Sequence, residues 1–146
     1  MPKKEKIDYK DKYLRALADL DNYKKISARE KQQFAQFANE NLILELLPVM
    51  DNFGRAMQAA EKSNAEEDMM KGLALIKKQL EDVLKKHGAE EIEALGKAFD
   101  PNFHEAILQQ EHDGPEGQVI EEAQKGYKLK GKVIRPAMVI VSKKTP

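Results

Sequence analysis

The first third of the chain carries apolar residues at helical spacing, with neither glycine nor proline between Asp8 and Leu47. Strong helix formers such as Ala, Leu, Lys and Glu dominate this stretch. The pattern predicts one helix of about 40 residues, roughly 60 Å long at about 1.5 Å per residue. The rest of so short a chain cannot cover such a rod. We therefore expect its apolar stripe to pair in parallel with a second copy.

Two spacings fit the apolar stripe of this predicted stalk comparably well. A three-four repeat runs through Ala16, Leu20, Tyr23, Ser27, Glu30, Phe34, Phe37 and Asn41. An eleven-residue repeat runs through Leu20, Lys31 and Leu42. The two repeats give supercoils of opposite hand, so the hand stays open. Residues 24–33 offer little apolar surface, and this segment is expected to pair weakly and to melt first.

Pro48 is predicted to end the stalk, because proline removes a helical hydrogen bond and clashes with the preceding turn. It suits the first turn of a second helix, predicted over residues 48–62. Residues 63–66 then read as a turn with a capping box. A third helix is predicted to end at His87 and Gly88, with a heptad stripe formed by Met69, Leu73, Ile76, Leu80 and Val83. Two short helices cannot enclose a core but four can, which predicts a dimeric four-helix bundle.

Beyond Gly88, short apolar alternations and turn residues replace the helical pattern. Strands are predicted over residues 90–95, 118–122, 126–129 and 132–142, forming a compact antiparallel β domain. Pro136 lies inside the last of these and is expected at an edge or bulge. The predicted fold class is α+β. Its three domains are a stalk (1–47), a pair of bundle helices (48–88) and a β domain (89–146).

Composition narrows the range of functions. Lys plus Arg and Asp plus Glu each number 25, so no overall charge attracts nucleic acid or an anionic membrane. The absence of cysteine excludes disulfides, thiolate zinc sites and cysteine nucleophiles, and is compatible with a reducing cytosol. No apolar run approaches the roughly 20 residues of a spanning helix. We expect a soluble, cytoplasmic protein.

Candidate chemistry is sparse, although Asp100, His104 and Glu105 lie close in sequence. His104 and Glu105 are adjacent, so their side chains diverge on a helix or a strand, and no other histidine has a matching ligand spacing. The glycines form no phosphate-binding loop. The sequence therefore predicts no enzyme, no metal, no cofactor and no direct nucleotide binding. Gly72, inside a predicted helix at a cost of about 1 kcal/mol, would let a partner backbone approach closely.

Four blocks carry a family resemblance: ALADLDNYKK, ELLPVMDNFGRAM, FDPNFHEAI and GYKLKGKVIRPAMVIVSK. Together, over residues 14–143, they resemble the GrpE family of nucleotide exchange factors for DnaK-type chaperones. The resemblance implies a homodimer with paired long helices, a four-helix bundle and two β domains. One β domain would act as a wedge on the chaperone's ATPase domain, opening the nucleotide cleft so that ADP leaves.

The resemblance also implies partner contacts at Arg55 and Gly72 in the bundle, Lys132 and Val141 in the β domain, and Lys24 and Gln33 along the stalk. Lys132 and Val141 would form a mixed polar and apolar patch. By the same resemblance the stalk is a thermosensor that melts reversibly on heating. The alternative is a dimeric coiled-coil scaffold without exchange activity.

Overall fold

The computed structural model describes residues 8–144, so the ends of the predicted stalk and β domain, residues 1–7 and 145–146, lie outside it. The described chain begins with helices α1 (Tyr9–Phe37), α2 (Glu40–Lys62) and α3 (Glu67–Lys86). Six strands follow: β1 (Ala89–Glu91), β2 (His104–His112), β3 (Val119–Gln124), β4 (Tyr127–Leu129), β5 (Lys132–Arg135) and β6 (Ala137–Lys144). The predicted α+β class, a long N-terminal helix and a small C-terminal all-β region, is confirmed.

The chain divides into two compact units, the first ending at Ala38 and the second beginning at Asn39. In the first unit, Asp8 caps α1 by accepting hydrogen bonds from the backbone N–H groups of Lys10 and Asp11. No residue of α1 is buried. The second unit holds α2, α3 and all the described strands. The predicted division into three domains stays a prediction.

The predicted helix boundary at Pro48 is wrong. The first helix ends at Phe37, and Pro48 lies inside α2. An internal proline costs about 3 kcal/mol. Ile43, Leu47 and Met50 share one face of α2 across the proline and are all buried. Full burial of each such side chain is worth about 1.5–3 kcal/mol, so together they offset the proline and hold the helix continuous.

The predicted turn between the second and third helices is confirmed, because α2 ends at Lys62 and α3 begins at Glu67. The predicted capping box does not form. Ser63 Oγ donates instead to the carbonyl of Ala59 at 2.9 Å, one turn back in α2. Glu66, the residue that precedes α3, makes no side-chain capping bond. The competing local hydrogen bond of Ser63 explains the difference.

The strands form two three-stranded sheets, with the orders β1-β4-β5 and β2-β6-β3. The prediction of an all-antiparallel domain is wrong, because β2 pairs with β6 in parallel. The predicted strand over residues 132–142 is two strands, and Pro136 separates β5 of the first sheet from β6 of the second. Proline cannot donate to a ladder, which explains a change of sheet at this residue.

Strand β2 was not predicted from the sequence. Apart from His104 its residues are all exposed, so it lacks the alternation of buried and exposed positions that marks a half-buried strand. Its parallel partner β6 lies beyond three other strands, and such a connection leaves no local hairpin signal.

The core of the second sheet consists of small and β-branched side chains: Ala94, Val119, Ala137, Val139 and Val141. The partly buried ring of Phe99 packs against this core. Gly126 lies against the backbone that links β5 to β6. A Cβ atom at this position would lie 2.9 Å from the carbonyl carbon of Pro136 and 3.0 Å from Cα of Ala137. Glycine is therefore required where the chain changes sheet.

Candidate partner-binding surface

Arg55 lies on the exposed side of α2. Its Nη1 donates to the side-chain oxygen of Asn52, one turn earlier in the helix, at 2.9 Å. This contact holds the guanidinium at the surface of the helix, where a partner carboxylate can reach its planar donor fork.

Gly72 lies on the exposed side of α3, and a Cβ atom added to it would meet nothing within 4 Å. The surrounding structure therefore does not require glycine at this position. Met69 and Ile76, each one helical turn from Gly72, are 58% and 55% exposed. The helix backbone at Gly72 is thus bare and lies beside these apolar side chains, so a second copy of the chain or a different partner can approach it closely.

Lys132 opens β5, and its ammonium group binds the carboxylate of Glu40, at 3.3 Å from Oε1 and 3.2 Å from Oε2. Glu40 is the first residue of α2. The lysine therefore joins the edge of the first sheet to the start of α2 while its side chain remains more than half exposed.

The predicted surface patch of Lys132 and Val141 is not formed. Val141 is 5% exposed and packs in the core of the second sheet. Lys132 belongs to the first sheet. The alternation along β6 turns Val139 and Val141 inward together, so the side chain of Val141 supports the domain from within.

Lys24 and Gln33 are exposed residues of α1. They lie in the first compact unit, whereas Arg55, Gly72, Lys132 and Val141 lie in the second. Neighbouring residues of α1 form exposed ion pairs along the helix, as Lys25 does with Asp21 at 3.1 Å. Such pairs favour the helix slightly and are screened by salt.

Sequence reasoning missed the side chain of Arg135, which makes several hydrogen bonds within the second unit. Its guanidinium pairs with both carboxylate oxygens of Asp51 on α2, Nη1 to Oδ2 at 2.7 Å and Nη2 to Oδ1 at 3.0 Å. Nε and Nη2 also donate to the carbonyl of Lys125, at 2.9 and 2.6 Å. The Asp51 and Arg135 side chains are 19% and 13% exposed. The sequence offered one signal for a bonded arginine: Arg135 is a charged residue just before Pro136, in an otherwise apolar run.

Two more residues complete the contact between α2 and the sheets, which we call the Arg135 joint (Asp51, Gln124, Lys125, Tyr127 and Arg135). The guanidinium carbon of Arg135 lies 5.4 Å from the centre of the Tyr127 ring. With its amide oxygen turned toward Arg135, Gln124 accepts from Nη1 at 2.9 Å. The hydroxyl of Tyr127 contacts Met50 Sδ of α2 at 3.4 Å. Burial, followed by the charge of Glu91, raises the pKa of Tyr127 to about 12.

An open groove of about 500 Å³ lies between α2, α3 and β3, with Arg55 on its rim. Glu122 lies in this groove, and its Oε2 is buried without a hydrogen-bond partner among the described residues. Burial, then the charge of Glu91, raises the pKa of Glu122. The pKa of Lys125 is also raised: burial alone would lower it, but the hydrogen bond to Glu91 and the nearby carboxylates outweigh burial. The groove is thus lined by charges that are costly to bury.

The region of Asp100 and His104 is a structural turn. The Nδ1 atom of buried His104 accepts from the backbone N–H of Asp100 at 3.0 Å, and Asp100 Oδ1 accepts from Asn102 N at 2.9 Å. Within residues 8–144, no group of three or more His, Asp or Glu side chains is arranged to hold a metal ion. Of the helices in that range, none has the length and apolar character needed to cross a bilayer.

Comparison with known proteins gives one consistent result. The family model described as GrpE matches residues 2–143. Proteins named Protein GrpE share 47% identity over 136 residues in Alkaliphilus oremlandii, 50% over 133 in Clostridioides difficile and 42% over 133 in Bacillus subtilis. These matches cover 93%, 90% and 90% of the chain, and 73%, 64% and 71% of the respective relatives.

Proposed function

The chain belongs to the GrpE family, and we propose that it is a homodimeric exchange factor that opens the nucleotide cleft of a DnaK-type chaperone and promotes ADP release. Family membership supports the cochaperone role, and the match over residues 2–143 is the observation that carries the proposal. The role requires no catalysis, metal, cofactor or direct nucleotide binding by this chain. Its cysteine-free composition fits the reducing cytoplasm in which we place this activity.

Exposed apolar residues support the dimer. On α3, Met69, Ile76 and Val83 recur at heptad spacing and each is about half exposed or more. On α1, large apolar side chains are exposed along the helix: Tyr9, Tyr13, Leu14, Leu17, Leu20, Tyr23, Ile26 and Phe34. A second copy would cover both sets, giving a paired stalk and a four-helix bundle from two α2–α3 pairs. The eleven-residue and heptad repeats still leave the supercoil hand of the stalk open.

The proposed mechanism needs only differential binding. The factor must prefer the open, nucleotide-poor chaperone, and by linkage nucleotide must then weaken binding of the factor. Each tenfold gain in the release rate requires about 1.4 kcal/mol of extra binding at the transition state. Arg55 and Gly72 would form the helix side of the contact, Lys132 the β side, and Lys24 and Gln33 a stalk contact. Val141 would act from the core, by holding β6 in place.

The test is release of a fluorescent ADP analogue from a DnaK-type chaperone, with and without the protein. We expect strong acceleration by the parent chain and loss of acceleration in Gly72→Asp, because a charged side chain would block close approach. Ala74→Asp is the matched control, since Ala74 is a small, exposed residue of the same helix on another face. That variant should keep the parent activity.

Sedimentation of each variant separates the proposal from its alternative. A Gly72→Asp chain that remains dimeric yet inactive supports the exchange interface. A parent chain that dimerises but leaves ADP release unchanged with a cognate chaperone contradicts the proposal and favours the scaffold.

Arg55→Ala should weaken chaperone binding, with Lys78→Ala as the control for an exposed cation on α3.

We further propose that the stalk is a thermosensor. Residues 24–33 carry Ile26 as their one large apolar side chain, and it is 46% exposed in the single chain. Little apolar area is thus available for pairing there, and the stalk should melt before the second unit. Calorimetry should show an early, reversible loss of helix that coincides with reduced exchange. A single cooperative transition for the whole protein would contradict this.

A further inference from the structure

The Arg135 joint connects elements that are distant in sequence. Arg135 is separated from Asp51 by 84 positions, and its guanidinium bonds to α2, to the Lys125 carbonyl just before β4 and, through Gln124, to the end of β3. It is also the last residue of β5, directly before Pro136 and the change of sheet. Fixing this one side chain therefore fixes both sheets against α2.

The Arg135 joint lies on the same face of α2 as Arg55, the candidate contact with the chaperone. Asp51 is four residues before Arg55, so the two side chains are neighbours one turn apart on α2. Both line the groove between α2, α3 and β3. A rotation of the sheets about α2 would change the distance between Arg55 and the β side of the proposed contact, including Lys132.

Stability alone is a weak reason for such a pair. Desolvating two charges costs several kcal/mol each, and replacing a buried ion pair with apolar side chains is often neutral or stabilising. A bidentate Arg–carboxylate pair does supply a fixed geometry, because the planar guanidinium donates two parallel hydrogen bonds to the carboxylate in one orientation. The three protein groups that accept hydrogen bonds from Arg135, the Asp51 carboxylate, the Lys125 carbonyl and the Gln124 amide, leave little freedom for the guanidinium to turn.

We propose that Asp51 and Arg135 are positioning residues for nucleotide exchange: their ion pair holds the β region at a fixed angle to α2, so that helix and wedge engage the chaperone together. This inference rests on the proposed function. A preorganised pair of contacts strains the partner's cleft, whereas a loose β region follows the cleft without opening it. Loss of the pair should therefore reduce the effect of bound factor more than it reduces binding.

The test titrates the dimeric protein against chaperone loaded with fluorescent ADP and measures two quantities. These are the maximal release rate at saturating factor and the factor concentration that gives half of it. In Asp51→Asn and Arg135→Gln, the maximal rate should fall roughly tenfold while the half-saturating concentration changes by less than about threefold. Arg135→Lys keeps the charge but loses the fork, and should fall in between.

The matched control is Glu91→Gln. It breaks the ion pair of Glu91 with the side-chain ammonium of Lys125 at 3.0 Å. Lys125 belongs to the Arg135 joint through its backbone carbonyl, which this substitution leaves in place. This variant should keep the parent's maximal rate. If Arg135→Gln fails to fold, Asp51→Asn, which preserves side-chain size and one acceptor oxygen, carries the test alone.

A direct readout of position accompanies the kinetics. The chain lacks cysteine, so spin labels on cysteines introduced at exposed Ala59 of α2 and exposed Glu111 of β2 report one distance between helix and sheet. Labelled chains are diluted with unlabelled chains to suppress signals between subunits. The distance distribution should broaden in Asp51→Asn and stay narrow in Glu91→Gln.

An unchanged maximal rate in Asp51→Asn overturns the inference while leaving the exchange function intact. So does a reduced rate with an unchanged distance distribution, which would mean that Asp51 acts by touching the chaperone. If the parent itself fails to accelerate release, the proposed function fails first, and that result is distinct from either of these.

Discussion

Helix α1 and helix α2 have similar lengths but contrasting surroundings. The 29 residues of α1 include no buried side chain, whereas the 23 residues of α2 bury Ile43, Leu47 and Met50 and carry the Arg135 joint. Both helices have apolar residues at helical spacing. The difference shows that an apolar stripe indicates a need for cover without saying whether the same chain supplies it. For α2 the chain supplies part of the cover itself, and for α1 we expect a second copy to do so.

The largest expected effect comes from comparing a leucine of α2 with a leucine of α1. Leu47→Ala removes a side chain with no exposed surface and should lower the free energy of unfolding by about 2–5 kcal/mol. Its effect should be the same at all protein concentrations. Leu20→Ala on α1, 47% exposed in the single chain, should act mainly on the early transition and only where chains are paired. Denaturation curves at two protein concentrations measure both. Equal, concentration-independent losses would contradict the contrast.

Alkaline pH should weaken the contact between α2 and the sheets, to which Tyr127 contributes. The folded pKa of Tyr127 is about 12, above the ordinary value of 10, so the unfolded chain loses this proton first. The stabilising contribution is therefore complete below pH 10, falls as pH rises, and is gone above about pH 12. Its size is about 2–3 kcal/mol. Unfolding free energies at pH 8, 10 and 11 should fall less steeply in Tyr127→Phe than in the parent, and identical slopes would refute the assignment.

Gly126→Ala tests the backbone beneath the joint. Its Cβ would press on the Pro136–Ala137 backbone, and overpacking of this kind costs about 1–3 kcal/mol. Gly54→Ala is the control, because a Cβ there meets nothing within 4 Å and alanine favours the helix. Thermal melts should show a lower midpoint for the first variant and an equal or higher one for the second. A neutral Gly126→Ala would show that the change of sheet tolerates a side chain.

The smallest expected effect is a gain in the free energy of unfolding. The pKa of Glu122 is raised, so its folded-state advantage exists only below the ordinary carboxyl pKa and is lost as pH rises. At neutral pH the buried charge therefore costs stability. Glu122→Gln should raise the unfolding free energy by less than about 1 kcal/mol at pH 7, because solvent screens this partly exposed carboxylate, and should have no benefit at pH 4. A destabilised Glu122→Gln at pH 7 would show that the carboxylate has a partner in the folded dimer.

The sequence predicted the helices and the fold class because long periodic segments carry a strong signal. It failed at Pro48, where burial of three neighbours outweighs a local rule. It failed at β2, whose residues lack alternation and whose partner is distant. Arg55 and Gly72 were predicted as contacts through a resemblance and stay predictions; both are exposed residues of their helices. Asp51 and Arg135 were missed, because a pairing across 84 positions leaves no trace in local spacing.

The order of strands in the second sheet has a consequence for biosynthesis. Its central strand β6 ends at Lys144, and both neighbours, β2 and β3, leave the ribosome earlier. At about 5–20 residues per second, β2 waits roughly 2–6 s for its partner, with the backbone groups that will pair with β6 left unpaired. Non-local parallel pairing is also slow to form. A nascent chain therefore passes through an interval in which β2 presents an unpaired strand edge, the feature that invites pairing with other chains.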